Sequence, residues 1–288
     1  MYVLTAPACD HLLLQVDGPV LRVGLAREAV FNALNVQLIT ELCEVLEWSA
    51  ARSAGRTGSL SDENGACFRL LVLHGLGKHF CAGADIGMMR DAGARTVDEN
   101  REDSARLDRL FHGLWSHPCY TIAVLHGVAL GGGAGLIAAC DHVVAVEGAK
   151  VALSEGKLGI LPAVIGPYVY RRVGSAAFRR LAMHAGRVGT AEAQRIGLLE
   201  DVHPTADDAW TAVDAIVSEV LTTGPSAVTT AKELTLGFDR WSGSDEDLRT
   251  WTLDFTSRMR GSDEGQEGLS AFLEKRPQRW RPDAGGTS

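Results

Sequence analysis

The sequence lacks most of what would staple a chain, anchor it or draw it to a polyanion. Its six cysteines (Cys9, Cys43, Cys67, Cys81, Cys119 and Cys140) are scattered and form no C-x-x-C pair. That leaves no disulfide framework or zinc ribbon to read and predicts free thiols in a reducing cytosol. No apolar run reaches the roughly 18–20 residues that span a bilayer. The opening MYVLTAPACDH has no basic stretch leading into an apolar one, so no signal peptide is expected and the cytoplasm is the expected location. Basic charge is also scarce, with 28 Lys and Arg against 36 Asp and Glu and a net charge of −8. This balance argues against a nucleic-acid binder, while leaving room for a local basic site on a phosphorylated ligand. No G-x-S-x-G elbow, H-E-x-x-H pair or P-loop occurs, and the nine histidines are dispersed. Nothing here predicts a serine nucleophile or a metal site.

What is present is an ordinary globular composition, 46% hydrophobic and 22% charged over 288 residues. That length fits one large domain, or one domain with an appendage. Strand-like runs at 11–16 and 20–25 flank Asp17-Gly18-Pro19, a hairpin turn. Asn35 is placed to cap a helix with apolar positions at Val36, Leu38, Ile39, Leu42, Val45 and Leu46. Residues 51–66 are small and polar and predict an exposed flexible loop, or less readily an interdomain linker. Apolar strands follow at 68–73, 120–125 and 142–146, with a helix near 98–116. Strands alternating with helices imply a largely parallel sheet. After about residue 160 the strand signals fade. Residues 164–185, 190–197, 205–238 and 244–275 look mostly helical, and RPDAGGTS at the end looks frayed.

Two glycine-rich loops carry the chemistry. Gly131-Gly132-Gly133-Ala134-Gly135 follows a strand and opens a helix. Unpaired amides and the positive end of a helix dipole suit an anion or a developing oxyanion there. A tight strand–helix junction is the plainer alternative. It is not a dinucleotide fingerprint. The loop Lys78-His79-Phe80-Cys81-Ala82-Gly83-Ala84-Asp85 also links a strand to a helix, either as a second set of backbone donors or as a turn around a buried Phe. Glu155, in the apolar stretch VALSEGKLGILPAVIGP, is either an acid/base with a raised pKa or an exposed carboxylate paired with Lys157.

FNALN (31–35), GLGKHFCAGADI (75–86), HGVALGGGAGLIAACD (126–141), SEGKLGILP (154–162) and EGQEGLSAFLEKR (264–276) together resemble the crotonase, or enoyl-CoA hydratase/isomerase, superfamily. The similarity is nearest to the bacterial 3-methylglutaconyl-CoA hydratase-like branch. It implies an α/β spiral of ββα units over residues 1–200 that binds acyl-CoA. It further implies a helical region over 201–288 that mediates trimerisation, giving a trimer or a dimer of trimers. By motif position the amides of Ala84 and Gly132 would form an oxyanion hole, with Glu155 as acid/base. Arg27, Ala29, Ala82, Asp85 and Ile86 would contact coenzyme A, together with Phe272 and Lys275 from the same or a neighbouring subunit. Coenzyme A enters as part of the substrate, with no separate cofactor, no metal, no membrane and no nucleic acid as partner.

The sequence departs from the hydratase pattern at one position. Hydratases of the type pattern have a glutamate where this chain has Gly135, so Glu155 stands as a single carboxylate. Addition of water then needs one residue in two roles, or help from Ser154 or a second water. A lone base also suits double-bond isomerisation, or a lyase or decarboxylase of the same superfamily. A CoA-binding protein with little turnover is the third reading. The acyl pocket would draw on residues 88–115 and 163–168.

Overall fold

The computed structural model describes residues 5–92 and 94–282, so the expected frayed tail lies, but for Arg281 and Pro282, outside the described residues. The chain runs β1 (Leu12–Asp17), β2 (Val20–Leu25), α1 (Val36–Ala51), α2 (Ala54–Thr57), β3 (Ser61–Asp62), β4 (Gly65–Ala66) and β5 (Leu70–Gly75). It continues through α3 (Ile86–Ala92), α4 (Val97–Trp115), β6 (Tyr120–Leu125), β7 (Val128–Leu130), α5 (Gly132–Ala139), β8 (His142–Val146) and β9 (Lys150–Ala152). Next come α6 (Gly166–His184), β10 (Val188–Gly189), α7 (Thr190–Arg195) and β11 (Asp201–His203). Four helices close the chain: α8 (Ala206–Val220), α9 (Pro225–Arg240), α10 (Asp245–Gly261) and α11 (Asp263–Glu274).

The main sheet has the order β1-β2-β5-β6-β8-β11, and a smaller one the order β10-β9-β7. β1 and β2 pair antiparallel, while β2-β5, β5-β6, β6-β8 and β8-β11 are parallel. The parallel strands are buried on both faces. On one side Leu71, Leu73, Ala123, Leu125, Val143 and Ala145 join the larger core with residues of α1, α4 and α5. On the other, Leu70, Val72, Ile122, Val124 and Val144 meet Ala209 and Val213 of α8. A strand alternates its side chains face by face. Two covered faces therefore require the continuous apolar runs seen in the sequence.

Several expectations are corrected. Strand β5 begins two residues later than the expected 68–73, because Phe68 turns into the core against Trp48, with ring centroids 5.0 Å apart. Residues 51–66 are neither a free loop nor a linker. They hold α2 and the β3-β4 hairpin, pinned by Arg52 to Asp62 at 2.9 Å. Beyond residue 160, β10 and β11 pair with the sheets, and β11 is too short to announce itself by periodicity. The expected helix 205–238 breaks at Gly224-Pro225, the cap and first residue of α9, a pattern that favours a helix start. The expected helix 244–275 breaks at Ser262, whose side chain accepts from Gly265 N. Asn35 does cap α1, accepting from Leu38 N at 2.9 Å.

The last helices are fastened at the amino-terminal end of the strands. Arg69, immediately before β5, is 6% exposed and donates to the carbonyls of Val220, Leu221, Thr223 and Trp280. Trp280 in turn donates to Thr222 O at 2.9 Å, and Glu264 of α11 accepts from Ser226 N and Ala227 N. Replacing Arg69 with Ala removes the donor these carbonyls share; Val220 O keeps Thr223 N–H as a partner, and a buried acceptor left unpaired, such as Leu221 O, costs about 1–3 kcal/mol. The variant is expected to lose roughly 2–4 kcal/mol in urea unfolding and to expose the segment around 220–224 to protease. Parental stability would show that these bonds hold nothing in place.

Candidate active site

The site forms where the chain leaves the carboxyl ends of β5 and β6, the usual ligand side of a parallel sheet. Asn32 ties its loops together. Fully buried, it accepts from Arg27 N and donates to the carbonyls of Leu76 and His79 at 2.9 and 2.8 Å. Its φ of 57° is left-handed, a conformation that Asn tolerates better than most residues. The expected donor loop is then laid against β7. Cys81 N donates to Val128 O and Leu130 N to Cys81 O. Gly83, at φ 95°, packs so closely that a Cβ there would lie 2.7 Å from Leu130 O. The next residue, Ala84, bridges to Leu34, with Leu34 N donating to Gly83 O and Asp85 N to Leu34 O.

These contacts bring Ala84 beside the start of α5. Gly131 is the N-cap, at φ 48° and ψ −115°, and Gly132 is the first residue of the helix. Among the described residues neither Ala84 N–H nor Gly132 N–H donates to a protein acceptor. Gly132 adds the positive end of the helix dipole. Both expected oxyanion donors therefore sit in adjoining backbone with their N–H groups uncommitted.

Glu155 closes the third side. It lies in a 3-10 turn over Ser154–Leu158, and its Oε1 is 3.2 Å from where a Cβ of Gly131 would stand. Its Oε2 is buried with no hydrogen-bond partner, and burial pushes the carboxyl pKa up. Among the described residues Lys157 is not a charge acting on this carboxyl, and Glu155 is partly buried, so the alternative of an exposed paired carboxylate is set aside. A desolvated, unpaired carboxylate facing two free amides is an arrangement for proton transfer at a carbon next to an oxyanion.

The position of the absent glutamate is filled. A Cβ at Gly135 would lie 2.3 Å from Ile165 Cγ2 and 2.9 Å from Phe111 Cε1. Phe111 also stands 3.8 Å from a Cβ at Gly132, and Leu34 Cδ1 stands 2.8 Å from it. Leu34, Phe111 and Ile165 thus shape the site; Leu34 lies in the FNALN motif and the other two within the stretches 88–115 and 163–168 expected at the acyl pocket, though none was named individually. Their apolar side chains look like any other core residues, and only packing distinguishes them.

The residues expected at coenzyme A divide into two groups. Arg27 is committed within the loop, donating to Ala33 O and pairing with Asp85 at 3.1 Å. Burial opposes ionisation of Asp85, but Arg27 and the amide of Gly87 outweigh it and hold its pKa below the usual carboxylate value. Ala29 lies in the neighbouring 3-10 turn over Glu28–Val30, Ala82 N donates to Phe31 O, and Ile86 opens α3 at 83% exposure. Phe272 and Lys275 are elsewhere. They sit on and just after α11, which is fastened at the amino-terminal end of the strands, and Phe272 is 78% exposed. Among the described residues no cluster of His, Cys, Asp or Glu could hold a metal ion, and no helix is long and apolar enough to cross a membrane.

The crowding at Gly135 gives a direct expectation. Gly135→Ala forces its methyl into Ile165 and should cost about 1–3 kcal/mol of stability, as overpacking does. Pairing it with Ile165→Ala should recover much of that loss in thermal unfolding. Full stability of the single variant would show that Ile165 yields freely.

Residues 16–283 match the family described as enoyl-CoA hydratase/isomerase. The crystal structure of an enoyl-CoA hydratase from Shewanella pealeana is similar at a TM-score of 0.85 and 33% identity, covering 94% of this chain and 96% of that one. Pseudomonas aeruginosa AtuE is similar at a TM-score of 0.84 and 34% identity, covering 94% of this chain and 99% of that one. The enoyl-CoA hydratase ACTT6 of Alternaria alternata is 31% identical over 265 residues, 90% of this chain and 80% of its own. With its mixed α/β sheet, the match over residues 16–283 and these relatives, the chain belongs to the enoyl-CoA hydratase/isomerase, or crotonase, superfamily of enzymes.

Proposed function

We propose that the protein adds water across the double bond of an α,β-unsaturated acyl-CoA, with Glu155 as its single general acid/base. The observation that carries this reading is the Glu155 carboxylate: one oxygen faces Gly131 and the other is buried without a partner. The thioester oxygen sits between Ala84 N–H and Gly132 N–H. As water attacks the β carbon, Glu155 takes its proton and the π electrons move onto the thioester oxygen. The same carboxyl then returns the proton to the α carbon, and the enolate collapses to a 3-hydroxyacyl-CoA. Losing one oxyanion donor costs about 10²–10³ in rate. Because both donors are backbone groups, side-chain substitution tests them poorly.

The acyl group we propose is branched, of the 3-methylglutaconyl kind. The apolar walls made by Leu34, Phe111 and Ile165 support the branch. Arg27, Ala29, Ala82, Asp85 and Ile86 line the coenzyme A side. Phe272 and Lys275, remote from the site of their own chain, reach the site of a neighbour in a homotrimer or a dimer of trimers. Coenzyme A within the substrate is the only cofactor in this scheme, and the cytoplasm is its setting. One observation favours a second reading: with Ile165 filling the space beside Gly135, the site holds one base, which suits proton transfer between α and γ carbons.

Two measurements test these readings. In D₂O, incubation with a panel of enoyl-CoA thioesters is expected to show a gain of one water by mass spectrometry. Glu155→Gln is expected to lower that rate by about 10²–10⁴ with its fold intact. Double-bond migration without gain of water decides for isomerisation. Hydration also needs Glu155 ionised. Because burial raises its pKa above the ordinary 4.5, kcat/KM should fall as pH drops through that raised value. A rate flat down to pH 4.5 would show that no buried carboxylate governs it.

A further inference from the structure

With the Gly135 position closed by Ile165 and Phe111, a second carboxylate has no room, yet water attacking a carbon needs more than one fixed partner. Ser154 stands next to Glu155 and faces the same way. From the point where a Cβ of Gly131 would lie, Glu155 Oε1 is 3.2 Å away and Ser154 Oγ 3.7 Å. Ser154 is partly exposed, and among the described residues its hydroxyl makes no hydrogen bond to protein. Two oxygens with unused hydrogen-bonding capacity thus converge over the N-cap of α5, one of them ionisable.

We propose that Ser154 holds the reacting water together with Glu155, in place of the second carboxylate. The inference rests on the hydratase reading. One hydrogen of the water goes to Glu155 as the oxygen–carbon bond forms, and the other is held by Ser154 Oγ, which accepts it and keeps the lone pair aimed at the β carbon. Ser154 gains and loses no proton. The π pair moves onto the thioester oxygen and the proton on Glu155 is delivered to the α carbon, so that one water is consumed for each 3-hydroxyacyl-CoA. Gly131 makes the convergence possible. With φ at 48° and no side chain, it keeps the space between the two oxygens open, where a methyl would crowd the carboxylate. The hydroxyl acts on water addition alone. Proton exchange between α and γ carbons, which needs only Glu155 and the oxyanion donors, does not involve it.

That difference supplies the test. Ser154→Ala, Ser154→Thr and the parent are compared in D₂O on an enoyl-CoA that the parent hydrates, with hydration and deuterium uptake at the γ carbon followed together. Ser154→Ala is expected to lower kcat for hydration about 10- to 30-fold, the effect of one hydrogen bond to a reacting group. KM should stay within about two-fold and γ-carbon exchange should be unchanged. Ser154→Thr, which keeps the hydroxyl, should recover most of the hydration rate. Hydration by Ser154→Ala at the parental rate overturns the proposal. So does an equal loss of hydration and exchange, which marks a merely structural role. A parent that exchanges deuterium but never adds water overturns the hydratase reading, and the proposal with it. That outcome is recognisable because the parent itself fails.

Discussion

Catalytic geometry here depends on one close backbone approach: Gly83 against the carbonyl of Leu130, where a Cβ would come within 2.7 Å. The loop after β5 and the strand before α5 are neighbours through this contact and through the exchange between Cys81 and residues 128 and 130. The amides of Ala84 and Gly132 are placed as a consequence. Such donors are fixed before any ligand arrives, so they need no reorganisation as charge develops. Asn32 stabilises the arrangement from behind, holding its own loop and the loop after β5 together with one fully buried side chain. The double burial of the parallel sheet gives those loops a rigid base.

The electrostatics follow from the same packing. Leu34, Phe111 and Ile165 pack against the first turns of α5, and burial pushes the Glu155 carboxyl up beside the helix N-cap. The Asp85 carboxyl, one residue beyond the oxyanion donor, is held down by Arg27. Two nearby acids are thus driven apart, one kept as a permanent anion that braces the loop and the other poised to exchange a proton. The carboxylate proposed to catalyse and the one that holds the loop differ in partnership more than in type.

Much of this was legible in the sequence. The apolar runs at 120–125 and 142–146 coincide with β6 and β8, and Asn35 caps α1 as its spacing suggested. The glycine run, the 78–85 loop and Glu155 do converge, because each lies at a strand–helix junction or beside one, where the chain order itself brings them to one end of the sheet. What escaped was whatever depends on long-range packing. β11 has three residues and acquires its identity only beside β8. Ile165 occupies the space beside Gly135 from thirty positions away, which no local pattern announces. Arg27, expected only as a contact to coenzyme A, also braces its own loop through Ala33 and Asp85. The helix breaks at Gly224-Pro225 and Ser262 had ordinary capping signals, masked by the apolar periodicity on either side.

The anchoring of Arg69 has a consequence for the order in which the protein can be completed. All four carbonyls that receive its guanidinium come from residues 220–223 and 280, at least 151 positions further along the chain. Until they arrive, a cation at the edge of the central sheet must stay hydrated, because burying it unpaired is far more costly than leaving it in water. The buried end of β5 therefore closes only when that distant stretch of chain has docked on it, so the sheet and the last helices are completed together.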